Sequence, residues 1–463
     1  MVNTTTAFKR VHFIGIGGAG MSGIALVLHE RGCMVTGSDL KASRYTRALE
    51  RAGIRVYIGH QAQTIDETEP DIVVISTAIP ETNPELVDAR KKGIEVWHRA
   101  KMLSYLSQGA ITIACAGTHG KTTTSSLAAT MLKVLGLDPT FLIGGVIDGY
   151  ETNGSNGSGQ YFVAEADESD KSFLFLDPNF VIVTNIEADH LDHYSSLEEI
   201  EETFCKLMAS IPQDGCLIVC GENPHVPELA RSCGKRTVTY GFGKENDIVC
   251  TPLEVEGTNA FNVTFPTGKV VQANLDHNPG LHNCLNGTAV LALAYVLGLD
   301  IERAAQAMST FKGVHRRFEF VGERGGVRII DDYGHHPTEI AATLAAARRM
   351  GYENIRVVFQ PHRYSRTQSL AAEFSDAFDD ATSVVVMDVF GAGETPIPGV
   401  SGKTVVKAVK QHNKEADITY IPNRHELIAY LLEHVQPGEL LLTMGAGDVT
   451  LIGPAFIEAY DAR

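Results

Sequence analysis

Short apolar, β-branched runs alternate with helical stretches along most of this chain, and no other feature constrains its fold as strongly. VHFIGI (Val11 to Ile16), VTGS after Cys33, IVVIS (Ile72 to Ser76) and ITIAC (Ile111 to Cys115) open the series; VRIIDD (Val327 to Asp332), IRVVF, SVVVMDV, ITYI and ELLLTM close it. Parallel neighbours cannot be joined by a hairpin, so this alternation predicts parallel sheets with crossover helices, an α/β fold. At about 150 residues per domain, the 463 residues predict three domains. The helical pattern RAKMLSYLSQGA ends at Gly109 and a second boundary lies near Val314 to Val321, giving 1–108, 109–316 and 317–463. Between Asp247 and Leu275 the segments shorten and alternate, which predicts antiparallel strands decorating the central domain. TNGSNGSGQ (Thr152 to Gln160) has the Gly, Ser and Asn content of a flexible surface loop.

Composition narrows the function. The charge of −17 repels polyanions, so no nucleic-acid partner is expected and any phosphate must be caught locally. No apolar run approaches the roughly 20 residues of a membrane span, and the polar start Met1 to Ala7 fits a cytoplasmic protein. Eight cysteines without a CxxC pair predict reduced, structural thiols, with CLIVC (Cys216 to Cys220) as a buried strand.

Several groups of residues carry chemistry. Gly15, Gly17, Gly18 and Gly20, followed by Met21, lie between a strand and a helix. The glycines permit a tight turn and close approach of a pyrophosphate to N–H groups at the helix start. Asp39, some twenty residues on, is placed to bond a ribose hydroxyl or else to cap a helix, and Ser76 and Thr77 end a neighbouring strand on the ligand side of such a sheet. The sharper signal is Gly117-Thr118-His119-Gly120-Lys121-Thr122-Thr123-Thr124 between ITIACA and a helix: an anion cradle, an ammonium for the terminal phosphates of ATP, and a hydroxyl for Mg²⁺. Its first glycine is displaced from the usual phosphate-loop spacing, so it is a shortened variant. VAEADESD supplies Glu165, Asp167, Glu168 and Asp170, and TNIEADHLDHY supplies Glu187, Asp189, His190, Asp192 and His193, of which one or two per cluster are expected to serve Mg²⁺. His282, Asn283 and Asn286 open a helix, where Asn can read an adenine edge or merely cap. Arg316 and Arg317 sit near the second boundary. Asp332, His335 and His336 follow one strand of the third domain, and Arg363 and Arg366 follow another, spaced to clamp a carboxylate or phosphate. MGAGD (Met444 to Asp448) is a further glycine turn.

Taken in order, GIGGAGMSGIA, AGTHGKTTT, VAEADESD, TNIEADHLDHY, HNCLN, GVHRRFE, DDYGHHPTEI, PHRYSRT and GAGD resemble the Mur ligase family along nearly the whole chain. The resemblance implies an N-terminal Rossmann-like domain for a UDP-sugar, a central P-loop ATPase-type domain, and a C-terminal Rossmann-like domain that binds the amino acid and closes on ATP. It implies an ATP- and Mg²⁺-dependent ligase of peptidoglycan precursor synthesis, joining L-alanine to the carboxylate of UDP-N-acetylmuramate, acting as a monomer or weak homodimer. Carried onto this sequence, it implies Lys121 on the ATP phosphates; Thr122, Glu165 and His190 around Mg²⁺; His282, Asn283 and Asn286 near adenine; and Arg317 or Arg316 near the phosphates. It further implies Asp332 at the ribose, His335 beside the reacting centre, and Arg363 with Arg366 on the amino-acid carboxylate. Lys206, the lysine nearest to the position that some relatives modify, reads as an ordinary helix lysine and is not assigned. Three other readings remain open: a ligase of the same fold that attaches a whole peptide, an NAD(P)-dependent dehydrogenase built on GIGGAG and Asp39, and a sensor that binds ATP without turnover.

Overall fold

The computed structural model describes residues 7–188, 194–255 and 257–463. The chain divides into two compact units, one of residues 1–251, 262–273 and 285–312 and one of residues 252–261, 274–284 and 313–463.

In the first unit, β1 (Arg10–Ile14), β2 (Met34–Asp39), β3 (Arg55–Ile58), β4 (Ile72–Ile75) and β5 (Glu95–His98) make a parallel sheet in the order β3-β2-β1-β4-β5. The order reverses between β1 and β4, which leaves a crevice at their carboxyl ends. Here lie the glycine turn, Asp39 at the end of β2, and Ser76-Thr77 after β4. The second sheet contains β6 (Ile111–Ala116), β7 (Thr140–Ile147), β8 (Thr152–Ser155), β9 (Tyr161–Glu165), β10 (Phe180–Val183), β11 (Cys216–Cys220), β12 (Thr237–Gly241), β13 (Ile248–Pro252), β14 (Ala260–Thr264) and β15 (Val270–Asn274). Its order is β15-β14-β13-β12-β11-β10-β6-β9-β7-β8. The strand β6 that feeds the GKTTT turn is therefore flanked by β9, which ends on Glu165, and by β10, which precedes TNIE. Burial on both faces explains the unbroken apolar runs of β6, β10 and β11.

Two expectations are corrected here. TNGSNGSGQ is not all surface loop: Thr152–Ser155 is β8, antiparallel to β7, with Asn153 and Gly154 buried. Asn153 Nδ2 donates to Ala19 O and, at 3.2 Å, to Ser22 Oγ. A Cβ on Gly154 would lie 2.8 Å from the Gly23 backbone, so the glycine is there for close packing on the helix Ala19–Glu30 rather than for flexibility. The segment beginning IVCTP is also not antiparallel at its start, because β13 continues the parallel run from β12. Beyond it the chain turns back, with Phe265 N–H donating to Lys269 O at 2.9 Å between β14 and β15.

The second unit holds β16 (Glu319–Arg324), β17 (Val327–Asp332), β18 (Ile355–Phe359), β19 (Ser383–Val386), β20 (Ile418–Tyr420) and β21 (Leu440–Met444) in the order β16-β17-β21-β18-β19-β20. All pairings are parallel except β16 with β17, an antiparallel edge that the sequence pattern did not foreshadow. β17, β21 and β18 are adjacent, so DDYGHH, MGAGD and PHRYSR leave three neighbouring carboxyl ends on one rim of the sheet. Among the described residues, no helix is long and apolar enough to cross a membrane.

Candidate active site

The turn expected to cradle phosphate is built by backbone that only glycine tolerates. Gly117 has φ +134° and Gly120 φ +83°; a Cβ at the first would lie 2.0 Å from Thr184 Oγ1 and at the second 2.8 Å from Asn286 Oδ1. Lys121 opens the helix Lys121–Val134 directly after that turn. The end of β10 holds the loop from beside: Asn185 O accepts from Thr118 N–H at 3.1 Å, Asn185 Oδ1 from His119 N–H at 2.8 Å, and Thr118 Oγ1 from Glu187 N–H at 2.8 Å. The cradle is thus preformed, with Thr123 buried beneath it.

Lys121 Nζ donates to Gly117 O at 2.7 Å, Thr118 O at 3.1 Å and Glu168 Oε1 at 2.9 Å. Burial acts to lower the pKa of this ammonium, but Glu168, Asp167 and Glu165 outweigh it and the net shift is upward, so the lysine stays charged. Glu168 is pushed up to about 7 by burial, with Lys121 opposing and Asp167 reinforcing the rise. Its backbone is fixed by Tyr194, whose hydroxyl donates to Glu168 O at 2.6 Å. Thr122 Oγ1 donates to Glu165 Oε1 at 3.0 Å, and Glu165 Oε2 accepts from Gly144 N–H at 2.7 Å. Burial raises the pKa of Glu165, against the pull of Lys121. A hydroxyl and a carboxylate therefore sit side by side next to an anion cradle, the oxygen donor set that Mg²⁺ prefers. His190, the third expected ligand, lies outside the described residues. Asp170 turns away to pair with Arg99 at 2.9 Å, and Lys206 is exposed on the helix Leu197–Ser210. Asn286 accepts from Thr124 Oγ1 at 3.2 Å, which places it beside the phosphate loop.

At the first sheet, Gly15 (φ +80°) and Ile16 donate N–H groups to Ser38 O at 2.8 and 3.0 Å. Asp39 Oδ2 accepts from Gly17 N–H at 2.9 Å, so this carboxylate shapes the glycine turn itself; the cap of the next helix is Ser43. Gly18 is the N-cap of the helix Ala19–Glu30 and brings no side-chain cap, Gly20 faces Arg99, and Met21 is buried. Ser76 is half-buried and Thr77 exposed at the end of β4.

In the second unit the two neighbouring arginines separate. Arg316 turns inward: Nε donates to Asp331 Oδ2 at 2.9 Å, and its Nη atoms donate to Gly445 O and Ala446 O. Arg317 is more exposed, 3.8 Å from Glu339. Asp332 accepts from Phe318 N–H at 2.8 Å and Gly334 N–H at 2.7 Å; burial lifts its pKa to about 6 against the pull of Arg317. His335 Nδ1 lies 3.1 Å from Tyr333 O, and its ring packs edge-on to His362, 5.4 Å away. His362, stacked on Phe390, was not singled out by sequence reasoning; burial first, then His335, Arg366 and Arg363, hold its pKa down to about 3. Arg363 adopts φ +66°, rare for a side chain of this size, and its N–H donates to Phe390 O at 2.8 Å; Arg366 follows one turn on in the helix Tyr364–Ser369. His282 is exposed in the first turn of the helix Leu281–Val296, and Asn283 is buried with Nδ2 donating to Pro279 O at 2.9 Å.

Comparison with known proteins identifies the family. Residues 10–110 match the profile described as Mur ligase family, catalytic domain; residues 115–294 match the Mur ligase middle domain; and residues 316–447 match the Mur ligase, glutamate ligase domain. The chain is 44% identical over 451 residues to a UDP-N-acetylmuramate–L-alanine ligase of Nitratidesulfovibrio vulgaris, covering 97% of this chain and 98% of that one. It is 46% identical over 446 residues to a protein of the same name from Rubrobacter xylanophilus, covering 96% and 98%. Among solved structures, a UDP-N-acetylmuramate–alanine ligase from Thermotoga maritima aligns with TM-score 0.82 and 31% identity over 98% of this chain and 99% of that one. A murein peptide ligase from Psychrobacter arcticus aligns with TM-score 0.72 and 26% identity over 97% and 98%.

Proposed function

Because the chain belongs to the Mur ligase family, we propose that it joins L-alanine to the carboxylate of UDP-N-acetylmuramate with ATP, releasing ADP and phosphate during peptidoglycan precursor synthesis. The observation that carries this reading is full-length similarity to L-alanine ligases combined with a preformed phosphate cradle whose lysine is already held charged.

A carboxylate is a poor acylating agent at neutral pH, so amide formation needs a better leaving group; transfer of the γ-phosphoryl group to the carboxylate supplies one as an acyl phosphate. Attack by the amino-acid nitrogen at the acyl carbon then forms the C–N bond and breaks the C–O bond to phosphate. Catalysis of such a transfer is mostly positioning and charge neutralisation. The N–H groups from Gly117 to Thr123 cradle the phosphates, and Lys121, leaving its carbonyl and Glu168 contacts, neutralises the transferring group. Thr122, Glu165 and His190 would hold Mg²⁺, which supplies Lewis-acid stabilisation of the phosphoryl oxygens when bound.

Asn286, with His282 and Asn283, serves the adenosine end of ATP, Asp332 the ribose, and Arg317 rather than Arg316 the phosphates, because the Arg316 guanidinium is committed to Asp331. Arg363 and Arg366 bind the amino-acid carboxylate. The amine must be neutral to attack, and His335 is the base that takes its proton. Gly15, Gly17, Gly18, Gly20, Met21, Asp39, Ser76 and Thr77 form the UDP-sugar site, with Asp39 acting through the turn it fixes. We assign the functional domains as 1–108, 109–316 and 317–463, and the working form as a cytoplasmic monomer or weak homodimer.

The test is ADP and phosphate release with Mg²⁺–ATP and UDP-N-acetylmuramate, with L-alanine in one arm and a muramyl-type peptide in the other. Release that depends on L-alanine, with a product heavier by one alanyl residue, supports the proposal. Release only with the peptide transfers the assignment to a murein peptide ligase, and binding without release to a sensor.

A further inference from the structure

A lysine ammonium carries three N–H donors, and those of Lys121 meet three acceptors inside the protein. Gly117 O and Thr118 O, both in the glycine turn, accept at 2.7 and 3.1 Å. The third acceptor is the Glu168 carboxylate, with Oε1 2.9 Å and Oε2 2.8 Å from Nζ. An ammonium so placed has no donor left for a phosphate oxygen, so contact with a nucleotide requires one of these bonds to break. The pair is enclosed, the lysine side chain 11% exposed and the glutamate 3%. Its two members differ in freedom. Glu168 lies just beyond β9, the strand beside β6, and its carbonyl accepts from the Tyr194 hydroxyl at 2.6 Å and from Lys171 N–H at 3.0 Å. Two residues on, Asp170 pairs with Arg99 at 2.9 Å and accepts from Ser172 N–H at 3.0 Å. The backbone that carries the Glu168 carboxylate is therefore pinned, whereas Lys121 swings on a flexible four-carbon stem.

We propose that Glu168 is a positioning residue for Lys121: it competes with the nucleotide phosphates for the ammonium, and its recapture of the ammonium drives ADP off the loop after transfer. The inference rests on the reading of Lys121 as the lysine that serves the ATP phosphates. Of the three bonds, the charge-assisted one to Glu168 is the strongest. It is also the one that a bound phosphate opposes, because two anions repel strongly where little water screens them. Nucleotide binding therefore gives up part of its free energy to open the pair. The pair re-forms once the γ-phosphoryl group has passed to the substrate carboxylate. Glu168 exchanges no atoms with the substrates; what it sets is the residence of the nucleotide, and hence the release step.

Glu168→Gln keeps the shape of the side chain and removes its charge. Binding of ADP and of β,γ-imido-ATP to the full chain is read by calorimetric titration with Mg²⁺ present, and ADP dissociation by stopped flow with a fluorescent ADP. Expected for E168Q are ADP binding tighter by at least about fivefold, dissociation slower by a similar factor, and a lower KM for ATP, with that for L-alanine within about twofold of wild type. Glu168→Asp, which keeps the charge on a shorter stem, should fall between E168Q and wild type. A residue that merely supported the fold would weaken ADP binding when changed, and unchanged or weaker binding in E168Q overturns the proposal. Lys121→Ala separates the proposal from its premise. ADP affinity that survives this change removes Lys121 from the phosphates, and the proposal with it; weakened binding in Lys121→Ala beside unchanged binding in E168Q overturns the latch alone. Should E168Q fail to fold, the wild-type chain crystallised with ADP decides. There Nζ should have left Glu168 for the β-phosphate, and a retained Lys121–Glu168 contact overturns the proposal.

Discussion

Replacing Arg316 by Met separates two arginines that sequence alone left interchangeable. The Arg316 guanidinium is 12% exposed and pairs with Asp331, whose side chain is 2% exposed. Asp331 accepts besides from Thr443 Oγ1 at 2.6 Å and Thr450 Oγ1 at 2.9 Å. Removing one partner of such a buried pair strands the other charge, which costs about 3–5 kcal/mol. The carbonyls of Gly445 and Ala446 lose their donors as well. For a unit of about 170 residues, each kcal/mol moves the transition by roughly 2–4 °C, so R316M should lower the melting temperature by roughly 6–20 °C. Arg317, 30% exposed, 3.8 Å from Glu339 and acting on Asp332 through its charge, should cost less than Arg316 when changed to Met. Scanning fluorimetry without ligands reads both, and hydrogen exchange in residues 313–463 shows whether the loss is local. Adding Asp331→Asn to R316M should restore part of the stability, because it removes the uncompensated charge. A shift below about 2 °C in R316M, or a larger one in R317M, would refute the assignment of Arg316 as the structural member of the pair.

Lys121→Ala should lower ADP formation by at least about 100-fold while leaving UDP-N-acetylmuramate affinity within about twofold; calorimetric titration showing equal loss of both would contradict separate sites. Gly117→Ala should abolish ATP binding, because its Cβ would overlap Thr184 Oγ1 and its φ of +134° is unavailable to alanine; retained affinity would show that the cradle is not rigid. Arg363→Gly should raise the KM for L-alanine at least tenfold yet leave stability equal or up to about 1 kcal/mol higher, since glycine tolerates φ +66°; loss of stability together with activity would make the residue structural. Asp332 predicts a pH effect. Its folded pKa of about 6 exceeds the unfolded value near 4, so the stability linked to its proton is fully present below about pH 4 and lost as pH rises through 6, a swing on the order of 3 kcal/mol. Urea midpoints at pH 5 and 7 should differ less in Asp332→Asn than in the wild type, and identical slopes would sink the argument.

The parallel sheets were legible because their strands are buried on both faces and read as unbroken apolar runs. The edge strand β16 was not: Phe320 is exposed, with the Arg328 guanidinium 4.9 Å from its ring centre, and the run EFVGER shows no such apolar continuity. Composition misled at Thr152–Ser155, where Gly and Asn serve close backbone packing and not mobility. In the site, glycine turns and lysine announce themselves because the chemistry demands those residue types. The allocation of Arg316 inward and Arg317 outward depends on backbone torsion, φ +62° at the first, and no residue pattern reveals that. Glu168 was named within the acidic cluster, but its pairing with Lys121, like the character of His362, comes from burial and from neighbours distant in sequence.

The contact between Gly23 and Gly154 limits how this protein can be recombined with others. A Cβ at 154 would meet the Gly23 backbone at 2.8 Å, and one at 23 would press on Leu142 at 3.0 Å. A chimaera that imports residues 1–108 from another protein inherits this seam and tolerates only donors with an equally small residue opposite position 154. Exchange of this segment is therefore governed by the absence of a side chain at position 154 as well as by whatever the segment binds.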